Sequence, residues 1–111
     1  MSRLRTDFWV GAYLNRLGTA GIPAFVTARG NSEAGSVLVR LNTLDGQSRV
    51  YQKSFDLLHD REVWDLMGEG EDADVDGMLQ RQMSRDRDLW IIEVEDREGR
   101  TLLDEAGLER H

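Results

Sequence analysis

VLVRLNTLDGQSRVYQK, residues 37–53, is the stretch on which the fold turns. Val37, Val39 and Leu41 alternate with Leu38 and Arg40, the two-residue period of a strand. Asp45-Gly46 follows, a dipeptide suited to the positive φ angles of a tight turn. Val50 and Gln52 then alternate with Tyr51 and Lys53, a further strand. Strands joined by so short a connection pair antiparallel, so an antiparallel sheet is expected.

Upstream, Ala24, Val26 and Ala28 alternate with Phe25, Thr27 and Arg29, an extended segment over residues 22–29. A turn runs from Gly30-Asn31-Ser32 to Gly35. Before it, Trp9, Val10, Tyr13, Leu14 and Leu17 fall on one arc at 100° per residue, the core face of a first helix. Thr6 is the expected N-cap, Asp7 suits the positive end of the helix dipole, and Gly21 and Pro23 stop the helix. Phe8 falls off the arc, near Ala12, which suits either a covering loop or an interaction surface.

Downstream, residues 62–67 alternate with Trp64 and Leu66 on one side, and Val75, Met78, Leu79, Gln82 and Met83 predict a helix over 73–84. Leu89 to Val94 is the most apolar strand. Asp96 to Gly99 turns the chain, and Thr101-Leu102-Leu103 is read as a short last strand. The expected order is α-β-β-β-β-α-β-β. It describes an α+β fold: an antiparallel sheet of four to six strands with two helices packed on one face. One domain is read over residues 1–104, with a charged tail over 105–111.

Composition narrows the chemistry. The chain has 111 residues and a mass of 12.7 kDa, with 40% hydrophobic and 32% charged residues, as suits one globular domain. It has no cysteine, which excludes disulfides, thiolate nucleophiles and cysteine-ligated zinc. The only histidines are His59 and His111. Arg3 and Arg5 precede a short apolar run in the manner of a signal peptide. Asp7 interrupts that run and Asn15-Arg16 follow it, so the segment reads as an ordinary helix of a cytoplasmic protein. Lys53 is the sole lysine among 14 basic residues, the arginine bias of a GC-rich bacterial genome.

The net charge of −7 is unevenly spread. Residues 1–50 sum to +3 and residues 51–111 to −10, and the favoured reading is attraction between the two halves of the folded chain.

Asp72-Ala73-Asp74-Val75-Asp76-Gly77 reproduces the opening of an EF-hand calcium loop, with oxygen ligands at alternate positions and glycine sixth. Met83 stands where the bidentate glutamate belongs, so an acidic helix N-terminus is the favoured reading. Glu93 and Glu95 share a strand face and with Asp96 form a second acidic group. The choices there are a magnesium ion, acid–base work, or pairing with arginines such as Arg40 and Arg49, the last being favoured. His59-Asp60 and the serines Ser48 and Ser54 lack a nucleophile elbow, and Gly68-Glu69-Gly70 is too acidic to cradle phosphate. Arg3, Arg5 and Arg16 with Phe8 and Trp9 offer a small nucleic-acid surface, against which an isoelectric point near 4.7 argues. Trp9, Trp64 and Trp90 read as core.

Three segments together resemble a known family: residues 3–10 (RLRTDFWV), residues 20–26 (AGIPAFV) and residues 88–96 (DLWIIEVED). They are similar to a small, mainly alphaproteobacterial family catalogued only as a domain of unknown function, and the resemblance spans about residues 3 to 104. Arg87 stands where that family's pattern often has a proline. The resemblance implies a bacterial, cytoplasmic protein, and it implies no activity and no site residue. The leading expectation is a small non-enzymatic accessory or protein-interaction module, with homodimerisation as one form of it. The alternatives are a divalent-metal protein or metal-dependent enzyme using Asp72, Asp74 and Asp76 or Glu93 and Glu95, and nucleic-acid binding through the arginines of the N-terminal half. No catalytic, cofactor-binding or metal residue and no cofactor is assigned, no membrane partner is expected, and no small-molecule ligand is legible.

Overall fold

Helix α1 (Thr6–Thr19) forms where the apolar arc predicts it, and Trp9, Val10, Tyr13 and Leu17 are buried along one side. The computed structural model describes residues 4–104. Arg5, not Thr6, occupies the N-cap position. The first free N–H groups of the helix are met from a distant loop: Thr6 N donates to Glu33 O at 3.2 Å and Asp7 N to Ser32 O at 2.9 Å. The Thr6 hydroxyl donates to Gly35 O at 2.9 Å.

Five strands follow: β1 (Ala24–Ala28), β2 (Val37–Asn42), β3 (Gln47–Asp56), β4 (Arg61–Glu71) and β5 (Trp90–Glu95). Helix α2 (Asp72–Arg85) lies between β4 and β5. The spatial order is β1-β5-β2-β3-β4. All pairings are antiparallel except β2 with β5, which run parallel. The sheet is therefore mixed, because the crossover through β3, β4 and α2 brings the last strand back beside β2 in the same direction.

The two helices cover opposite faces, not one. Val37, Val39 and Leu41 of β2 and Trp90, Ile92 and Val94 of β5 pack with α1 in one cluster. Leu38, Val50 and Ile91 pack with Val75 and Leu79 of α2 in another. Consecutive residues on a strand point to opposite faces, so each central strand feeds both cores. We call these the α1 face and the α2 face. The expected last strand does not form: Leu103 is buried in the α1 cluster as part of a turn, and the Tyr13 hydroxyl donates to Thr101 O at 2.8 Å. The tail read at 105–111 lies outside the described residues.

The loop between β1 and β2 locks onto β5. Asn31 N donates to Asp88 O at 3.0 Å, while Asn31 O accepts from the Trp90 indole at 2.8 Å and from Gly35 N at 3.1 Å. Gly30 and Gly35 both lie against the Asp88 carbonyl, where a Cβ would sit 2.0 and 2.3 Å from its oxygen. Only glycine fits there.

Strands β3 and β4 outrun the sheet. β2 pairs with β3 only through Gln52, yet β3 and β4 stay paired out to Asp56 and Arg61. The excess is a two-stranded arm with its turn at residues 57–60.

Candidate interaction site

The acidic run that matches a calcium loop is helical from Asp72 onward. In a helix, residues four apart share a face while the one between them points away, so three alternating carboxylates cannot converge. The shared face is taken by Arg40, a buried arginine of β2. Its guanidinium bonds the Asp76 carboxylate, lies 3.8 Å from Asp72 Oδ1 and donates to Asp72 O at 3.3 Å. Its Nε donates to Ser48 Oγ at 3.2 Å, and Ser48 in turn donates to Asp72 Oδ1 at 2.7 Å. Arg40 thus fastens the start of α2 to the sheet, and Asp74 stays exposed.

Glu93 and Glu95 do share the α2 face. Asn42 donates to Glu93 at 3.4 Å across the β2–β5 register. Asp96 has turned away to organise its own loop. It accepts from Arg100 N at 2.7 Å, Nε at 3.1 Å and Nη2 at 3.0 Å, and this hydrogen bonding holds its carboxyl below the usual range. Among the described residues no group of three or more His, Asp or Glu side chains is placed to hold a metal.

The two charge halves meet as expected. Arg49 of β3 lies 3.4 Å from Glu69 of β4, and Arg40 holds Asp72 and Asp76. Of the arginines considered for nucleic acid, Arg5 is engaged by Asp7 at 3.1 Å and Glu33 at 3.8 Å and lies over the exposed Phe8 ring. Arg3 lies outside the described residues. Trp9 and Trp64 stack at 5.4 Å, and the Lys53 ammonium lies 5.3 and 5.6 Å from their rings while 3.6 Å from Glu62. The only lysine therefore anchors the base of the arm to α1.

Two surface hollows measure about 420 and 290 Å³, and among the described residues no histidine lines either. The first sits at the sheet end between Arg49 and Glu98, the second between Trp64 and Leu103.

What the structure adds is the arm. Leu57 and Leu58 at its turn are 85% and 86% exposed, and Phe55 on the α1 face of the arm, with Leu66 on the same face of β4 just inside the sheet, is about half exposed. The turn is nonetheless ordered by hydrogen bonds. Asp56 Oδ1 accepts from Leu58 N at 3.1 Å and His59 N at 3.3 Å, and Oδ2 lies 2.7 Å from His59 Nδ1. The hydrogen bond with His59 holds the Asp56 carboxyl below the usual range. His59 therefore serves the turn, and among the described residues its ring meets Asp56 and no nucleophile.

The clue to this site in the sequence is Phe55-Asp56-Leu57-Leu58-His59-Asp60: apolar residues set inside turn-forming ones, a pattern that the hydrophobic period of neither neighbouring strand explains.

The family model described as "Protein of unknown function (DUF1491)" matches residues 4–104. This chain belongs to the DUF1491 family. Its fold is that of solved DUF1491 proteins from Caulobacter crescentus CB15. A crystal structure is 31% identical with a TM-score of 0.82, covering 91% of this chain and 95% of that one. A solution structure is 30% identical with a TM-score of 0.78, covering 94% and 96%. A solution structure of a protein from A. tumefaciens is 28% identical with a TM-score of 0.68, covering 85% and 86%. No curated protein matches this DUF1491 chain. Among the described residues no helix is long and apolar enough to cross a membrane.

Proposed function

We propose that this DUF1491 protein is a small non-enzymatic interaction module that binds another protein through the β3–β4 arm. The observation that carries the reading is the pair Leu57 and Leu58, almost fully in water at the apex of a projecting hairpin. Large apolar side chains clustered on a projection are costly to keep exposed and mark interaction sites. Covering both leucines in a complex returns about 1.5–3 kcal/mol for each. Asp56 fixes the turn beforehand, so little conformational freedom is lost when it docks. A partner other than a second copy is favoured, because two chains of net charge −7 repel. The proposed setting is a bacterial cytoplasm, in keeping with the bacterial relatives.

The test places a photo-crosslinking residue at Leu58 in the protein expressed in a bacterial cell, with the same residue at Gln80 on the outer side of α2 as control. The expected result is one dominant adduct from position 58, absent from position 80 and absent when Leu57→Ser is added. Equal labelling from both positions, or none from position 58, refutes the reading.

A further inference from the structure

We infer that the surface recognised by the arm is an apolar socket rimmed by arginine or lysine on another protein, an inference that rests on the docking role proposed above. From Lys53 to Leu66 the arm and the strand pair at its base carry four carboxylates, Asp56, Asp60, Glu62 and Asp65, against two cations, Lys53 and Arg61. Lys53 is already committed to Glu62 and to the rings of Trp9 and Trp64. Asp65 accepts the Ser54 hydroxyl, and neither it nor Asp60 takes part in an ion pair among the described residues. Asp56 faces Arg61 across the strands and lies 2.7 Å from His59, so Asp60 beside the leucines and Asp65 at the base of the arm are the carboxylates left without a balancing charge among the described residues. Their field, added to that of the whole chain, attracts a basic surface and repels an acidic one.

The same charges disfavour the other occupants. A second copy is disfavoured by charge, since it would bring a further net charge of −7 to a surface already short of cations. An anionic bilayer would meet Asp56 and Asp60 immediately beside the two leucines that had to enter it. What remains is a protein whose apolar depression receives Leu57 and Leu58 and whose rim supplies the missing positive charge, the usual division between a desolvated centre and a charged rim.

The experiment uses the whole chain, labelled with nitrogen-15, and two synthetic helical peptides that share a leucine face. One carries lysine and arginine at the remaining positions and the other carries glutamate. The basic peptide is expected to shift the amide signals of Leu57, Leu58 and His59. Its affinity is expected to fall about tenfold between low and moderate salt, since exposed charge pairs are screened. Asp60→Asn with Asp65→Asn is expected to weaken it about threefold to tenfold. Leu57→Ser with Leu58→Ser is expected to abolish the shifts while the rest of the spectrum is kept. If the glutamate peptide binds the arm equally well, the basic rim is refuted and the docking arm stands. If neither peptide perturbs the arm, or the basic peptide shifts only Glu69 to Asp76, both fall. Leucine-dependent sedimentation of the protein with phosphatidylglycerol vesicles overturns the inference in favour of a membrane surface.

Discussion

Replacing Gly30 by alanine sets a methyl carbon 2.0 Å from the carbonyl oxygen of Asp88, a full ångström inside the closest real contacts. The obstacle is backbone, so the loop must move by about that distance. Asn31 N bonds that same oxygen at 3.0 Å, and Asn31 O accepts from the Trp90 indole at 2.8 Å and from Gly35 N at 3.1 Å. A shift of about 1 Å breaks at least two of these bonds, each worth about 1 kcal/mol net, and strands a buried indole N–H for about 1–3 kcal/mol more. The expected loss is about 3–5 kcal/mol, a large share of the roughly 5–15 kcal/mol that holds a domain together. At about 4 °C or more per kcal/mol, the melting temperature should fall by at least about 12 °C. Thermal unfolding followed by circular dichroism and tryptophan fluorescence measures it. Gly11→Ala is the control: it lies on the exposed side of α1 with nothing within 4 Å of the added carbon, and it should gain up to about 1 kcal/mol of helix propensity. A Gly30→Ala protein melting within about 3 °C of the parent refutes the account of this loop.

Arg40→Ala should cost about 2–3 kcal/mol in urea unfolding, because the side chain is buried against Ser48 while its carboxylate partners keep access to water. Arg40→Lys should recover little of it, since one ammonium cannot replace a fork that serves Ser48, Asp72 and Asp76 together. Burial raises the ionisation of Tyr13 above its ordinary value near 10, so the stability it contributes is fully present below about pH 10 and drains away as pH rises beyond it. Tyr13→Phe should cost about 1 kcal/mol at neutral pH through the lost bond to Thr101 O, and melting curves from pH 8 to 11 should fall less steeply above pH 10 for the variant than for the parent. Leu57→Ser with Leu58→Ser should leave the melting temperature within about 2 °C, because both side chains already stand in water; a larger drop would mean that they pack against the fold.

The helix faces were readable because one period governs them: Trp9, Val10, Tyr13 and Leu17 are the buried side of α1 as the 100° arc requires. The side on which α2 lies was equally written in the chain. Val37-Leu38-Val39 and Trp90-Ile91-Ile92 are apolar at consecutive positions, which a strand tolerates only when both of its faces are covered. Reading these runs as simple alternation put both helices on one side. The parallel β2–β5 pairing was out of reach, since no local pattern specifies which distant strand becomes a neighbour. The arm was underestimated because Ser54, Asp56 and Arg61 are poor strand formers. Cross-strand partners such as Lys53 with Trp64 hold it together instead. Thr101 to Leu103 have the composition of a strand, yet a positive φ at Leu102 ends any extended run, and Leu103 is used as a plug for the α1 core. The acidic repeat failed as a metal loop once its residues proved helical, which sends Asp74 away from Asp72 and Asp76.

Among the described residues β1 has a single neighbour, and that neighbour, β5, is made after every other strand of the sheet. While the chain is being made, the residues of β1 have nothing to bond to, and the α1 core lacks Trp90, Ile92 and Val94. The β2–β3–β4 meander can zip locally, but closure must await synthesis of β5, through residue 95. A nascent chain stalled before β5 is made therefore lacks the α1 core even where the meander and α2 have formed, and such a fragment is expected to be a substrate for chaperones and proteases.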